Sequence, residues 1–369
     1  MKLDPKFPPL PSIGELLKHP AVERVVQRVN QTTIAQKTAG FLDELRSSLK
    51  SHAGQAVVPS IQQLAERLAR RLLGDARHNS PVINATGVVL GSRWPAPPLA
   101  DDAIHEMLRL ASEYHDTDQG LREHVAKLLA QLTGAEFAWV ASSMDGAATI
   151  AREHDDWSID VARHVGLLDP AQWGLPHVDT ISERLARGAE LVIFDGGGLL
   201  GGPRCGLVVG KRQRVEALAQ HPLAGALTAH SLTLAALEAT LEIYRAQDRV
   251  VHQIPVFQLL SAPLENLQQR GQRLSPLMEQ SAAVARSEPR QCESAWYDAP
   301  ETRLVGPSWA VALHPAQGSV QDLARQLQEA AWPVVGREEQ GALLLDLRSV
   351  FPRWDQQLVA AVEDLPVAD

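Results

Sequence analysis

Residues 190–210 read ELVIFDGGGLLGGPRCGLVVG. They contain an apolar run at 191–194, a glycine-rich loop at 196–202 and a second apolar run at 207–209. Short apolar runs bounded by glycines are typical of buried strands. The stretch therefore predicts two core strands of an α/β fold that are joined by a tight turn.

The glycines of this loop also match the spacing of two nucleotide-binding motifs. Gly196, Gly198 and Gly201 fit Gly-x-Gly-x-x-Gly, but that dinucleotide motif requires a helix directly after it. Pro203 and a valine-rich strand follow instead. Gly202 and Pro203 occupy the positions of the Lys and Ser/Thr of a P-loop. A turn without a nucleotide is therefore the favoured interpretation.

The same loop resembles the cofactor-lysine loop of the bacterial selenocysteine synthases, the L-seryl-tRNA selenium transferase family, which reads Ser-Gly-Asp-Lys-Leu-Leu-Gly-Gly-Pro-Gln. Gly198 stands where that family has the lysine that carries pyridoxal phosphate. Further matches occur in the same order along the chain, at VINATGVVL (82–90), LTGAE (132–136), LTLAALEATL (232–241) and LLLDLR (343–348). The chain is therefore identified as a member of this family.

The resemblance implies three domains. Residues 1–78 resemble the family's N-terminal helical, tRNA-binding domain, residues 79–245 a fold-type I pyridoxal-phosphate transferase domain, and residues 246–369 a small α/β domain. Apolar periods in residues 12–74 favour the helical domain, with a capping box at Ser12 and Glu15. In the C-terminal part, the pattern predicts helices at 264–285, 320–331 and 354–363 and strands at 309–313 and 343–347.

The transferase-like domain is truncated. Only 50 residues separate Met144 from Phe194, and each βαβ unit needs about 30. Several strands of the family's sheet therefore cannot fit, and strands at 137–141, 191–194 and 207–209 remain. We expect the strand at 191–194 to lie at an edge of the sheet, covered by residues 151–188 or by another chain.

The residues that carry the family's chemistry are replaced in this chain. Pyridoxal phosphate chemistry begins from a lysine Schiff base, and Gly198 has no amine. Ser142 and Ser143 replace the family's Asn-rich phosphate cup. The aspartate that pairs with the pyridine nitrogen aligns near Val161, and the adjacent Asp160 is expected to point to the other face of a strand.

We therefore predict a degenerate member of the family, with no catalytic residue and no covalently bound cofactor. The remaining candidates for cofactor binding are Ser142, Ser143, Asp160 and Lys211, which with Lys127 is one of two lysines between residues 51 and 369. The predicted protein is a non-catalytic oligomer of itself or with an active relative, binding tRNA or another partner. The alternative is a transferase with altered or residual chemistry.

The charge is distributed unevenly along the chain. Residues 1–80 carry 12 Lys+Arg and 7 Asp+Glu, a net charge of +5, whereas the whole chain carries −9. Bound tRNA and a solvated helical surface explain this excess equally well. The chain has two cysteines, no apolar run that could span a bilayer and no secretion signal, so we expect a cytoplasmic protein.

Two short clusters, His115-Asp116-x-Asp118 and His154-Asp155-Asp156, contain residue types that bind metals. Neither has a further histidine or cysteine at ligand spacing. Both are therefore predicted to be solvated loops, and no metal is expected.

Overall fold

The computed structural model describes residues 11–20, 22–23, 34, 38–42, 61, 64–65, 68–69, 72, 81–115, 118–300, 302–330 and 332–365. The chain divides into two compact units. One consists of residues 1–83 and 326–334, and the other of residues 84–325 and 335–369. Among the described residues, no helix combines the length and apolar character needed to cross a membrane.

The described chain contains both helices and strands, with six successive helices between residues 212 and 278. The helices are α1 (Ile13–Leu17), α2 (Asp101–Ser112), α3 (Gln119–Thr133), α4 (Met144–Ala151), α5 (Ile181–Ala186), α6 (Arg212–Ala219), α7 (Ala224–Leu227), α8 (Ser231–Arg245), α9 (Gln247–Gln253), α10 (Pro255–Leu260), α11 (Leu264–Met278), α12 (Val320–Glu329) and α13 (Asp355–Glu363). The strands are β1 (Ile83–Asn84), β2 (Leu90–Gly91), β3 (Phe137–Ala141), β4 (Ile159–Ala162), β5 (Leu191–Asp195), β6 (Gly206–Gly210), β7 (Val284–Ala299), β8 (Thr302–Pro315), β9 (Val334–Val335), β10 (Arg337–Glu339) and β11 (Ala342–Asp346).

In the first unit, the predicted capping box is confirmed at the start of α1. The Ser12 backbone N–H donates to Glu15 Oε2 at 2.7 Å, and the Glu15 N–H donates to Ser12 Oγ at 3.2 Å. The predicted apolar stripes supply a shared core, in which five leucines are each at most 2% exposed: Leu16, Leu42, Leu64, Leu68 and Leu72. Most other residues of the predicted helical domain lie outside the described part of the chain.

The second unit contains a four-stranded sheet in the order β3-β6-β5-β4. Both strands predicted around the glycine loop are present, and β6 pairs antiparallel with β5 and with β3. Strand β4 pairs parallel with β5. The carboxyl ends of β3, β4 and β5 therefore lie at the same end of the sheet.

The expectation that the strand at 191–194 lies at a sheet edge is wrong. Strand β5 has β6 on one side and β4 on the other. The strand that covers β5 is β4, which does come from residues 151–188. Strand β4 is itself the outermost strand of the sheet. A four-residue strand with the sequence IDVA has too short and too mixed a pattern to be recognised from periodicity.

Each face of this sheet is buried by helices. Val192 and Phe194 point into a core that includes residues of α3 and α8, whereas Leu191 and Ile193 point into a second core with residues of α4 and α6. This alternation is the period-2 pattern of a strand buried on both faces. The mixed α/β class predicted from the sequence is confirmed.

The C-terminal part of the second unit contains a five-stranded sheet in the order β10-β11-β8-β7-β2. The predicted helix at 264–285 is too long, because α11 ends at Met278 and β7 begins at Val284. The long β7–β8 hairpin has polar and partly exposed residues along much of its length, and for that reason its first strand escapes periodicity analysis.

A buried carboxylate ties this sheet to the segment that leads into it. Asp346 is fully buried and accepts hydrogen bonds from Ser308 Oγ at 2.6 Å, Arg337 Nη1 at 2.5 Å and the Arg348 backbone N–H at 3.0 Å, and from Ser294 Oγ. Its own N–H donates to the Ala85 carbonyl at 2.9 Å. These contacts hold the chain before β2, and β2 then pairs with β7.

Candidate functional site

The glycine loop between β5 and β6 is held by its own backbone. The Gly196 N–H donates to the Cys205 carbonyl at 3.0 Å, and the Gly202 N–H donates to the Gly196 carbonyl at 2.9 Å. Gly201 has a φ of +72°, a conformation that favours glycine. Buried Tyr244 donates its hydroxyl hydrogen to the Leu200 carbonyl at 2.9 Å. The predicted direct connection between the two strands is confirmed, but it is a loop of ten residues, 196–205, and not a tight turn.

A cavity of about 330 Å³ lies at the carboxyl ends of β3, β4 and β5. Ligands bind at the carboxyl ends of the strands in α/β sheets because loops and helix N-termini converge there. Three parts of the second unit form the wall of the cavity: the segment around β2, the end of β7 and the carboxyl end of the four-stranded sheet. The lining residues are Leu90, Gly91, Ser92, Pro95, Met144, Arg163, His164, Asp195, Gly198, Arg204, Tyr297, Ala299 and Pro300.

Asp195 is the acidic group of this cavity. It is the last residue of β5, its side chain is 25% exposed, and its Oδ1 accepts the Gly197 N–H at 2.7 Å. Burial raises the pKa of the Asp195 carboxyl above its ordinary value, while the Gly197 N–H and the charge of Arg204 oppose this rise. Arg204 is the cation that faces this carboxylate, with its Nε 3.8 Å from Asp195 Oδ2.

Arg163, His164 and Tyr297 also line the cavity. Arg163 Nη2 donates to Asp145 Oδ1 at 3.1 Å, with both side chains largely exposed. The His164 ring packs edge-on against the Tyr297 ring, with centroids 4.4 Å apart. Together with Arg204 and Asp195, these groups give the cavity charges of both signs.

Gly198 lines the cavity, as the resemblance to the cofactor-lysine loop implies. A Cβ atom built on it would contact only the Asp195 carbonyl, at 3.8 Å. A Cβ atom is therefore sterically tolerated at this position, but the amine is absent. Among the lining residues of this cavity there is no lysine, so they do not fit a cofactor that is held as a lysine Schiff base.

The serine candidates lie beside the cavity rather than in its wall. Ser143 is the N-cap of α4, and its Oγ accepts the Gly146 N–H at 3.1 Å. Ser142 is exposed. Asp145, the second residue of α4, places a carboxylate in the first turn of the helix. This negative charge opposes a phosphate group at that helix end.

Asp160 is on the face of β4 that was expected. It pairs with Val192 in the ladder, whereas Val161 pairs with Ile193 and packs against the core on the other face. Both Asp160 carboxylate oxygens accept hydrogen bonds from Arg184 Nη1, at 2.8 and 3.0 Å. The structure does not bring Asp160 into the cavity wall.

Lys211 lies at the far end of the sheet from Gly198. It follows Gly210, which pairs with the first residue of β5, and a five-residue strand separates the two ends by about 13 Å. Lys211 Nζ instead forms an ion pair with Glu190 Oε1 at 2.8 Å. Lys127 lines a different cavity, with Phe137 and Arg212 at that same far end.

The clusters considered for metal binding have other partners. His154 stacks on Trp157 with ring centroids 3.7 Å apart, and His115 Nε2 lies 3.3 Å from Asp118 Oδ1. Asp116 lies outside the described residues. A third group with suitable spacing contains His177, Asp179 and Glu183. Both oxygens of Asp179 accept hydrogen bonds from Arg187, at 2.7 Å each, and this guanidinium leaves the cluster ill suited to a cation.

The sequence candidates do not include five side chains that line the cavity: Asp195, Arg204, Arg163, His164 and Tyr297. Asp195 ends the first strand of the quoted stretch. Arg204 directly follows the Gly-Gly-Pro of the quoted stretch, so a local signal for it exists. Arg163 and His164 follow β4, so locating them required that short strand. Tyr297 is on β7, and no local pattern connects it to the glycine loop.

Comparisons with known proteins agree with the resemblance. The family model described as SelA, L-seryl-tRNA selenium transferase, matches residues 143–351. The L-seryl-tRNA(Sec) selenium transferase of Moorella thermoacetica is 29% identical over 453 residues, covering 96% of this chain and 95% of the relative. That of Carboxydothermus hydrogenoformans is 26% identical over 452 residues, covering 95% and 96%. Both alignments are longer than the 369 residues of this chain, so they contain gaps in it.

Among solved structures, D-glucosaminate-6-phosphate ammonia-lyase matches with a TM-score of 0.49 and 15% identity, covering 84% of this chain and 98% of that one. At that score the likeness adds nothing to the assignment. The family model alone spans more than half of the chain. This chain belongs to the L-seryl-tRNA selenium transferase family.

Proposed function

We propose that this chain is a non-catalytic member of its family, without pyridoxal-phosphate-dependent selenium transfer. The observation that carries the proposal is Gly198, which lines the cavity at the position where the resemblance places the cofactor lysine. Glycine provides no amine to hold the cofactor aldehyde, to exchange it with a substrate amine or to move protons.

The positions of the other lysines support this proposal. Between residues 51 and 369 the chain has only Lys127 and Lys211. Lys211 is paired with Glu190, and Lys127 lines the cavity at the opposite end of the sheet. Neither replaces the missing amine without a rearrangement of the core sheet.

The charge around α4 supports the same conclusion. Phosphate is held at helix N-termini by N–H groups and by the positive end of the helix dipole. Asp145 introduces a carboxylate into that turn, and the Ser143 hydroxyl already accepts the Gly146 N–H. The missing lysine and the carboxylate at the start of α4 therefore both disfavour binding of pyridoxal phosphate in this cavity.

The experiment is a search for a Schiff base. We would mix the purified protein with pyridoxal phosphate, record the visible spectrum, treat it with borohydride and weigh the intact protein. An active L-seryl-tRNA(Sec) selenium transferase serves as the positive control. We expect no cofactor-specific band and no mass increase at Lys127 or Lys211.

A fixed adduct would instead favour the alternative, a transferase with altered or residual chemistry. Lys127→Arg and Lys211→Arg variants would then identify the amine, since arginine keeps the charge but forms no Schiff base. An adduct that persists in both variants and maps to no single lysine would indicate non-specific labelling of surface amines.

We further propose that the protein works through binding, with tRNA held by its N-terminal segment. The net charge of +5 over residues 1–80 supports an anionic partner. The test measures tRNA affinity against salt concentration for the full chain and for a variant that lacks residues 1–78. Unchanged affinity in the shortened variant would contradict the proposal. Sedimentation of the full chain, alone and with an active relative, tests the proposed oligomer.

A further inference from the structure

The cavity beside Gly198 contains arginine side chains whose present ion pairs a ligand can replace. Arg204 is 64% exposed, and its Nε lies 3.8 Å from Asp195, beyond hydrogen-bonding distance. Arg163 is 49% exposed and pairs with Asp145, which is 76% exposed. Exposed ion pairs of this kind contribute little to stability. A ligand carboxylate can therefore engage these guanidinium groups at little cost.

Asp195 provides the complementary charge. Its side chain is mostly buried at the end of β5, and the N–H of Gly197 holds it in place. The negative charge of Asp145 is close enough to add to the rise in its pKa. Two neighbouring carboxylates disfavour a ligand with two negative charges, and they favour a ligand that brings a positive group to Asp195.

The remaining wall is largely apolar. Leu90, Pro95, Met144, Tyr297 and Pro300 contribute to it. A volume of about 330 Å³ exceeds what an ammonium and a carboxylate occupy by themselves. An apolar group attached to those two charges would fill the rest of the cavity and remove apolar surface from water.

We propose that this cavity binds a free α-amino acid with an apolar side chain, without forming a covalent bond. The ammonium group contacts Asp195, the carboxylate contacts Arg204 and Arg163, and the side chain contacts the apolar wall. This proposal is independent of the Schiff-base question, because binding of this kind requires no lysine.

The test uses calorimetric titration of the full chain with L-methionine and two analogues, each lacking one charge. 3-(Methylthio)propylamine lacks the carboxylate, and 4-(methylthio)butanoate lacks the ammonium. Hydrogen bonds to charged groups are each worth about one factor of ten in affinity. We therefore expect both analogues to bind at least about tenfold more weakly than L-methionine.

Two variants connect that binding to this cavity. Asp195→Asn keeps an acceptor for the Gly197 N–H, and Arg204→Gln changes an exposed side chain. Each should weaken L-methionine binding about tenfold with an unchanged melting temperature. Arg212→Gln, at the far end of the sheet, is the matched control and should bind as the unaltered chain does. If Asp195→Asn fails to fold, Arg204→Gln with the analogue series still decides.

Three results would overturn the proposal. The first is the absence of any heat of binding with L-methionine at about 10 mM, since a ligand that does not bind at that concentration has a dissociation constant too high for a specific site. The second is equal affinity for L-methionine and either analogue. The third is tighter binding of inorganic phosphate or pyridoxal phosphate, which would assign the cavity to an anion. A Schiff-base adduct would contradict only the proposed lack of chemistry.

Discussion

Substituting Gly198 by lysine restores the family's residue at the place where this chain lacks it. A Cβ at this position meets only the Asp195 carbonyl at 3.8 Å, and the φ of Gly198 lies outside the left-handed region. Replacing a glycine under these conditions reduces the entropy of the unfolded chain and adds about 0.4–1 kcal/mol to the free energy of unfolding. We expect Gly198→Lys to fold with a melting temperature no lower than that of the unaltered chain.

We nevertheless expect this variant to remain inactive with pyridoxal phosphate. An ordinary lysine has a pKa near 10.4, so at pH 7.5 only about one amine in a thousand is neutral and able to attack an aldehyde. The carboxylate of Asp195 beside it favours the charged form and lowers that fraction further. Asp145 also remains in the first turn of α4, where it opposes the phosphate.

The assay combines spectroscopy, borohydride fixation and mass spectrometry on Gly198→Lys, with Gly196→Ala as the steric control. A Cβ on Gly196 would lie 2.6 Å from the Pro203 carbonyl oxygen, so that control should lose about 1–3 kcal/mol of stability. A fixed adduct on the introduced lysine, at cofactor concentrations that leave the unaltered chain unlabelled, would refute the reasoning. It would show that the missing amine is the main defect of the site.

Three further outcomes follow from other contacts. Replacing Asp346 by Ala should cost about 3–5 kcal/mol of stability in denaturant titrations, because it leaves Arg337 without its buried partner. Gly87→Ala should destabilise by about 1–3 kcal/mol in the same assay, because Gly87 has a φ of +83° and its new Cβ would overlap the Asp346 carboxylate. Arg187 lowers the pKa of Asp179 to about 2 in the folded chain. The contribution of the ionised Asp179 to the free energy of unfolding is therefore fully present above about pH 3.8 and is lost as the pH falls through about 2. Asp179→Asn should flatten stability against pH in that range and leave acid unfolding otherwise intact.

Much of the site could be predicted because its defining feature is local. The glycine loop shows two strands, a turn and the loss of the lysine within 21 consecutive residues. The pattern also predicts strand β3 with the bounds that the structure has, since five residues from Phe137 follow a helix that ends at a glycine. The period of two in a strand predicts the face of β4 on which Asp160 lies.

The rest of the site depends on contacts between distant segments. Arg163, Asp195 and Tyr297 line one cavity although they are far apart in the sequence. Lys211 is close to the glycine loop in sequence, yet antiparallel pairing of β5 and β6 carries it to the other end of the sheet. The separation of two residues in the sequence therefore does not predict whether a lysine lies near the cavity.

The sequence by itself determined the family, the α/β class, the two strands around the glycine loop and the absence of an amine at Gly198, because each depends on the identity and spacing of neighbouring residues. Only the tertiary structure decided which strand covers β5, which charges meet in the cavity and where the remaining lysines lie. Those properties arise when sheet pairing brings separate segments together, and a strand of four residues such as β4 gains its stability from that pairing and not from its own pattern.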